Sequence, residues 1–126
     1  MFKDSLVVFD DIISSERKIW SKYMFELASD LAENSRKLNT QLIFVLHNSS
    51  YSATRMMFSE STHYVLFLNS GAKSMYTRII ENYLCIKDKK VQKKLFDITS
   101  RYVVFSLEAP QYIITEYSCF LLKDLD

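Results

Sequence analysis

Apolar residues in this chain fall into short continuous runs, separated by stretches in which they recur every three or four positions. Continuous runs are typical of buried strands, and the longer period is typical of amphipathic helices. The runs predict five strands, over Ser5–Phe9, "TQLIFVLH" (40–47), "HYVLFL" (63–68), "RYVVFSL" (101–107) and "YIITEY" (112–117). The second run is typical of a central strand covered on both faces. The fifth follows Pro110 and is predicted at an edge of the sheet.

Helices are predicted between these strands. A long one follows Asp11, opened by Ser14 or Ser15 as its cap, and a short one is predicted over Ala53–Phe58. In the first helix the apolar residues that recur at four-residue steps are Ile19, Tyr23, Leu27 and Leu31, and Trp20, Met24 and Ala28 widen this apolar face. A later helix is marked by Met75, Ile79 and Tyr83, and the last one by Val91, Leu95 and Ile98. Strands alternating with helices predict an α/β fold of three layers around a mainly parallel sheet.

Polar side chains gather where the predicted strands end. Asp10 and Asp11 follow the first strand, His47 and Asn48 the second, and Asn69 the third. In open parallel sheets the chemistry collects beyond the carboxyl ends of the strands. A hydrophobic strand that ends in two acids has the Walker B arrangement, in which the first carboxylate holds Mg²⁺ and the second polarises the attacking water. A solvent-exposed strand end explains the same two acids without any chemistry.

A receiver domain of a signalling relay also begins with a strand that ends in paired acids. It needs a phosphorylatable Asp at the end of its middle strand, but the candidate strands here end in His47 and in Leu68-Asn69. The later Lys is also missing, since "YVVFSLEAP" offers Glu108. These departures argue against a working receiver and leave a degenerate one open.

Composition bounds these alternatives. With 126 residues, 48% of them hydrophobic, the chain is predicted to form one domain, residues 1–126, with a real core. A net charge of +1 gives no global field that points to nucleic acid, although Lys87, Lys89, Lys90, Lys93 and Lys94 form a basic cluster. The isolated Cys85 and Cys119 predict reduced, buried thiols. No apolar stretch is long enough to span a bilayer, so the sequence predicts a cytoplasmic protein with no membrane partner.

Residues 5–70 resemble the FtsK–HerA class of DNA-pumping ATPases, and above all the genome-packaging ATPases of large DNA viruses and related mobile elements. The resemblance lies in "SLVVFDDI", "LAENSRKLNTQLIFVLHNSSY" and "ATRMMFSESTHYVLFLNS". In that family an Arg follows the helix, a polar sensor ends the next strand, and a second Arg comes shortly after. Arg36, His47 and Arg55 stand at those places, although the family more often has Gln where His47 stands, and Lys37 replaces its usual His.

The resemblance implies a role for each of these residues. Asp10 is the metal ligand and Asp11 the base, His47 and Asn48 are sensors, Arg36 contacts nucleotide, and Arg55 acts on the site of a neighbouring subunit. The implied fold is a partial P-loop NTPase core of the RecA-like kind. The family also has a Gly-rich phosphate loop with Lys and Ser/Thr before the paired acids, whereas this chain has one glycine, Gly71.

Without that loop, ATP affinity is expected to be poor. The implied cofactors are therefore ATP and Mg²⁺ only where a partner supplies the phosphate loop. The expected partners are a chain with the Walker A half or a second copy, docked on the first strand or on Met56–Phe58, and double-stranded DNA. If the protein is viral, the expected location is the host cytoplasm or the virion assembly site.

Overall fold

Two sheets take the place of the single sheet that the hydrophobic pattern predicts. The computed structural model describes residues 2–12, 18–47 and 54–125, with the side chains of residues 18–20 left out. The chain divides into two compact units, Met1–Glu60 and Ser61–Asp126. The described part of the first unit holds a parallel pair of strands, and the second unit holds a four-stranded antiparallel sheet.

The first unit is built from two strands and two helices. Their bounds are β1, Leu6–Asp10; α1, Lys18–Leu38; β2, Gln41–Val45; and α2, Arg55–Glu60. One face of the strand pair is apolar and packed, with Phe9 stacked on Phe44 at 5.4 Å between ring centroids. Ala28 and Leu31 of α1 and Met57 of α2 complete the buried cluster around Phe9. Burial of this face holds the unit together.

The end of α1 is fixed by its own residues. Asn39 has a φ of 51°, in the left-handed region that Asn tolerates better than most side chains. The N–H of Thr40 then donates to the carbonyl of Ser35 at 2.9 Å, which closes the helix in the manner of a Schellman motif. At the next residue, the N–H of Gln41 donates to the carbonyl of Ser5 at 2.9 Å and begins the pairing with β1. A single left-handed residue therefore turns the chain from helix into parallel strand.

In the second unit the α-helices follow the first strand and precede the second strand in chain order. Its elements are β3, His63–Leu66; α3, Lys73–Asn82; α4, Lys89–Phe96; β4, Val103–Ser106; β5, Tyr112–Ile114; β6, Cys119–Leu121; and a 3₁₀ turn over Leu122–Leu125. The strand order is β3-β4-β5-β6, and every neighbouring pair is antiparallel. Ile80, Leu95, Phe105 and Ile113 are among its most deeply buried side chains.

The prediction of a three-layer, mainly parallel, RecA-like sheet is wrong. Only β1 and β2 are parallel neighbours in the described residues, and β3 pairs with β4 in a separate antiparallel sheet. The connection from β4 to β5 has five residues, 107–111, whereas a parallel crossover needs a dozen or more. The short connection makes a hairpin the available solution.

The individual elements were predicted better than their arrangement. Each predicted strand and helix has a counterpart within a few residues of its predicted place, although the cap residues Ser14 and Ser15 lie outside the described residues. Three details differ. Tyr23 is exposed, so the buried stripe of α1 runs through Ala28 and Leu31; β5 is an inner strand; and β6, at the edge, was not predicted.

Glu116 ties the turn between β5 and β6 to the residues before β4. Its Oε2 accepts a hydrogen bond from the N–H of Arg101 at 2.7 Å and a longer one, 3.4 Å, from the hydroxyl of Ser100. Its Oε1 accepts from the Arg101 guanidinium, which also forms a salt bridge with it. These donors, with the Arg101 backbone N–H first among them, hold the pKa of Glu116 below its usual range.

We expect the Glu116→Gln variant to lose stability at neutral pH and to respond less to acid. Because the pKa is lower in the folded chain, the ionised carboxylate stabilises fully above the ordinary pKa that it has when unfolded, and this stabilisation is lost as the pH falls through the lower folded pKa. Urea midpoints at pH 7 and in acid measure the effect. Glu108→Gln, at an exposed glutamate, is the control. Parallel pH profiles for wild type and Glu116→Gln would contradict the assignment.

Candidate functional site

The parallel pairing of β1 and β2 brings two of the predicted strand ends to the same edge. The register pairs Leu6 with Gln41 and Asp10 with Val45, so both strands run in step to their carboxyl ends. This part of the sequence prediction is confirmed. Asp10 and Asp11 leave β1 at that edge, and His47 follows β2 by two residues. The third predicted strand end, at Asn69, belongs to the other unit.

The backbone of Asp11 is held in place by β2. Its N–H donates to the carbonyl of Val45 at 3.1 Å, which extends the ladder one residue beyond β1. Its φ of 49° is left-handed, a conformation that Asp adopts more readily than most residues. Asp10 lies on the exposed face of the pair, and Asp11 is partly buried.

His47 is exposed at the same edge. An imidazole there can donate to or accept from a phosphate oxygen or a water, depending on its tautomer. Asn48, the second predicted sensor, lies outside the described residues. The sensor roles of both residues stay predictions.

Arg36 lies away from this edge. It stands in the last turn of α1, and the chain enters β2 at Gln41, the end of the strand opposite Val45. The same helix end is tied to the residues before β1, since the N–H of Asp4 donates to the carbonyl of Leu38 at 2.9 Å. Arg36 therefore belongs to the amino-terminal edge of the strand pair, and the structure does not bring it together with Asp10 and His47.

Arg55 is the first residue of α2 and is exposed. The helix is anchored by Met57, which is fully buried in the cluster around Phe9. Phe58 is also buried, and Met56 is partly buried against the same cluster. Docking of a partner on Met56–Phe58 stays a prediction. The guanidinium of Arg55 remains available on the surface of the first unit.

The described residues at this edge offer few protein ligands for a metal ion. In residues 2–12, 18–47 and 54–125, no three His, Cys, Asp or Glu side chains gather into a group that could hold a metal ion. Mg²⁺ usually keeps several waters and takes one or two carboxylates together with substrate phosphates. Asp10, an exposed acid at a strand end, fits that requirement for a single protein ligand. The chain has no Gly-rich loop to hold the phosphates themselves.

The second unit contains an open cleft that sequence reasoning missed. Its volume is about 740 Å³, and its lining is mostly apolar, with Ile86, Val91 and Leu107 among the side chains. Lys87 and Lys123 add positive charge. Cys85 also lines the cleft and, like Cys119, is a free and exposed thiol. The prediction that both cysteines are buried is therefore wrong. Cys85 lies three residues beyond the end of α3, with a φ of 58°, and Cys119 begins the edge strand β6.

Taken by itself, the first unit is a small α/β unit with paired acids and a histidine at the carboxyl edge of two parallel strands. The chain is similar to "Uncharacterized protein V3" of the Sputnik virophage, with 27% identity over 117 residues. The match covers 90% of this chain and 47% of the virophage protein, so the chain spans about half the length of the curated relative it matches. No protein-family model matches, and neither does any solved structure. None of the helices in the described part of the chain combines the length and apolarity needed to cross a bilayer.

Proposed function

We propose that this chain is a component of an ATP-driven viral motor for DNA packaging or translocation, carrying the Walker B and sensor residues. The observation that carries the proposal is the in-step parallel pairing of β1 and β2, with Asp10, Asp11 and His47 at one edge. The similarity to a virophage protein supports a viral origin. Double-stranded DNA and a location in the host cytoplasm or at the site of virion assembly belong to the same proposal.

In this proposal each side chain has a distinct task. Asp10 would hold Mg²⁺, and the ion would supply positive charge to neutralise the phosphates. Asp11, whose backbone is fixed by Val45, orients and polarises the attacking water. His47 reports on the terminal phosphate. Arg55, exposed at the start of α2, acts on the site of a neighbouring subunit in a ring. Arg36 lies at the other edge, and its contact with nucleotide stays a prediction.

The phosphate loop comes from another stretch of polypeptide. The virophage protein is about twice as long as the match, so more than half of its length corresponds to nothing in this chain. A complementing segment of that kind, either on a separate chain or on a longer form of this one, would supply the backbone donors and the Lys that cradle the phosphates.

Reconstitution tests this function. The chain is produced together with the residues of the Sputnik protein that lie outside the match, and Mg²⁺-dependent phosphate release from ATP is measured. We expect hydrolysis only when both are present, and a loss of about 10²-fold or more in the Asp11→Asn variant, as for removal of a catalytic base. The Asp30→Asn variant, at an exposed acid of α1, should keep the full rate. A complex without hydrolysis, or hydrolysis indifferent to Asp11→Asn, would overturn the proposal.

A second candidate function is a non-catalytic binding or scaffold protein derived from an ATPase-like or receiver-like domain. The cleft of the second unit favours it, because apolar clefts of about 300–1,000 Å³ with a few polar groups are typical ligand sites, and this one is about 740 Å³. The reconstitution assay distinguishes the two functions, since a scaffold would form the complex and leave ATP intact.

A further inference from the structure

One face of the β1–β2 pair is apolar and open. Successive side chains of a strand point to opposite faces, and the register puts alternate residues of the two strands on one side. Leu6, Val8, Ile43 and Val45 share the face opposite Phe9, and their exposed fractions are 59%, 54%, 47% and 38%. The pattern "LVVFD" with "QLIFV" thus supplies apolar residues to both faces, although only the face around Phe9 is packed.

Such a face is unusual for parallel strands. Parallel pairs occur almost only where helices cover both faces, and the near-continuous apolar runs of their strands reflect that double burial. The run "TQLIFVLH" predicts a doubly covered strand, yet Ile43 and Val45 remain exposed. The sequence is therefore that of a covered strand, while the described residues leave this face without its cover.

We propose that this open face, formed by Leu6, Val8, Ile43 and Val45, is the docking surface for an amphipathic helix of the complementing segment. That segment corresponds to the part of the Sputnik protein outside the match. The inference rests on the proposed function only for the existence of that segment. It adds the surface on which the segment docks. Its partner is defined by shape and chemistry: a helix with an apolar stripe.

The dimensions of the face suit one helix. Two strands lie about 4.8 Å apart, which with their side chains makes a strip about 10 Å wide, the diameter of an α-helix. Five residues of strand span about 16 Å, the length of a helix of about three turns. A second flat sheet would extend beyond the two strands on both sides, so a single helix is the better fit.

Charge sets the direction of that helix. Among the described residues of β1 and β2, Asp10 is the only ionisable side chain on this face; it lies at the carboxyl end, and the other end carries the neutral Gln41. A helix that runs back along parallel strands places its amino terminus at their carboxyl ends. The positive end of the helix dipole then lies beside the Asp10 carboxylate, which is the favourable orientation.

The test uses the full chain, co-expressed with the residues of the Sputnik protein outside the match as the probe. We expect a one-to-one complex by size exclusion with light scattering, and at least tenfold weaker binding for Val8→Asp and for Ile43→Asp. The matched control is Val65→Asp, because Val65 is also a strand valine and is 52% exposed, against 54% for Val8. Circular dichroism of the free variants checks the fold, and Val8→Thr, which is nearly isosteric, replaces any variant that fails it.

Each outcome decides between definite alternatives. No complex, a complex as tight with Val8→Asp as with wild type, or a homodimer of this chain that Val8→Asp dissociates would each overturn the inference. The proposed function is judged separately by phosphate release. A complex that depends on Val8 but leaves ATP intact would uphold the docking surface and reject the motor. Hydrolysis that survives Val8→Asp would uphold the motor and reject the docking surface.

Discussion

The 126-residue chain on its own is expected to release phosphate from ATP no faster than a blank without protein. Phosphoryl transfer depends on charge stabilisation around the β- and γ-phosphates, most of it from a loop's backbone N–H groups, its Lys and the metal ion. The chain has one glycine, Gly71, and it lies in the other unit from Asp10 and Asp11. Two acids at a strand end can position a metal and a water but cannot hold the nucleotide.

A steady-state assay on the purified chain checks this expectation. Kinases typically turn over at about 1–100 per second, so the expected difference is several orders of magnitude. The control is the same preparation with the complementing segment added, which shows that the chain is folded and competent. Turnover in that range by the chain alone, abolished by Asp11→Asn, would contradict the prediction and would mean that the phosphates are held by residues other than a Gly-rich loop.

The site edge was predictable because it depends on local features. The apolar run before Asp10, the long amphipathic helix and the second apolar run predict a strand-helix-strand unit, and such units have parallel strands. Parallel strands in register bring Asp10 and His47 to one edge, as the pairing of Asp10 with Val45 shows. Nothing beyond strand order and direction is needed for that conclusion.

Arg36 shows what the resemblance leaves open without the fold. A motif aligns residues along the chain, but it does not say at which end of the sheet each one emerges. The end of α1 at Leu38 and the left-handed turn at Asn39 lead straight into β2 at Gln41, so a residue in the last helical turn belongs to the amino-terminal edge. Helix direction alone carries this information, and it could have been applied to the sequence.

The second sheet was mispredicted because an apolar run does not reveal which faces are covered. In "HYVLFL" the side chains of Tyr64 and Leu66 are buried, while Val65 is exposed, which is the one-sided pattern of an antiparallel sheet. Apolar residues at the exposed positions hide this alternation from the sequence. The signal that was available is the short connection between β4 and β5, residues 107–111, which permits a hairpin and excludes a crossover.

The one-sided burial of that sheet leads to a second expected result, a large loss of stability in Ile113→Ala and a small one in Ile114→Ala. The two isoleucines are adjacent in β5, but Ile113 is fully buried and Ile114 is 36% exposed. Removing a buried Ile side chain costs about 2–5 kcal/mol, from lost transfer energy and from the cavity that remains. The same truncation at Ile114 should cost much less stability, because this side chain partly faces solvent and its removal leaves no enclosed cavity.

Urea unfolding measures the stability of both variants. Unfolding is monitored by far-ultraviolet circular dichroism and not by tryptophan fluorescence, since Trp20 lies in the other unit. A loss of about 2–5 kcal/mol corresponds to a change of about 30-fold to several thousandfold in the folding equilibrium at 25 °C, enough to unfold a marginally stable domain. Because the two substitutions remove the same atoms from neighbouring positions of one strand, strand propensity nearly cancels between them, and the difference reports burial. Equal losses for Ile113→Ala and Ile114→Ala would mean that both faces of the antiparallel sheet are covered in solution, and β5 would then have to be assigned to a doubly packed sheet.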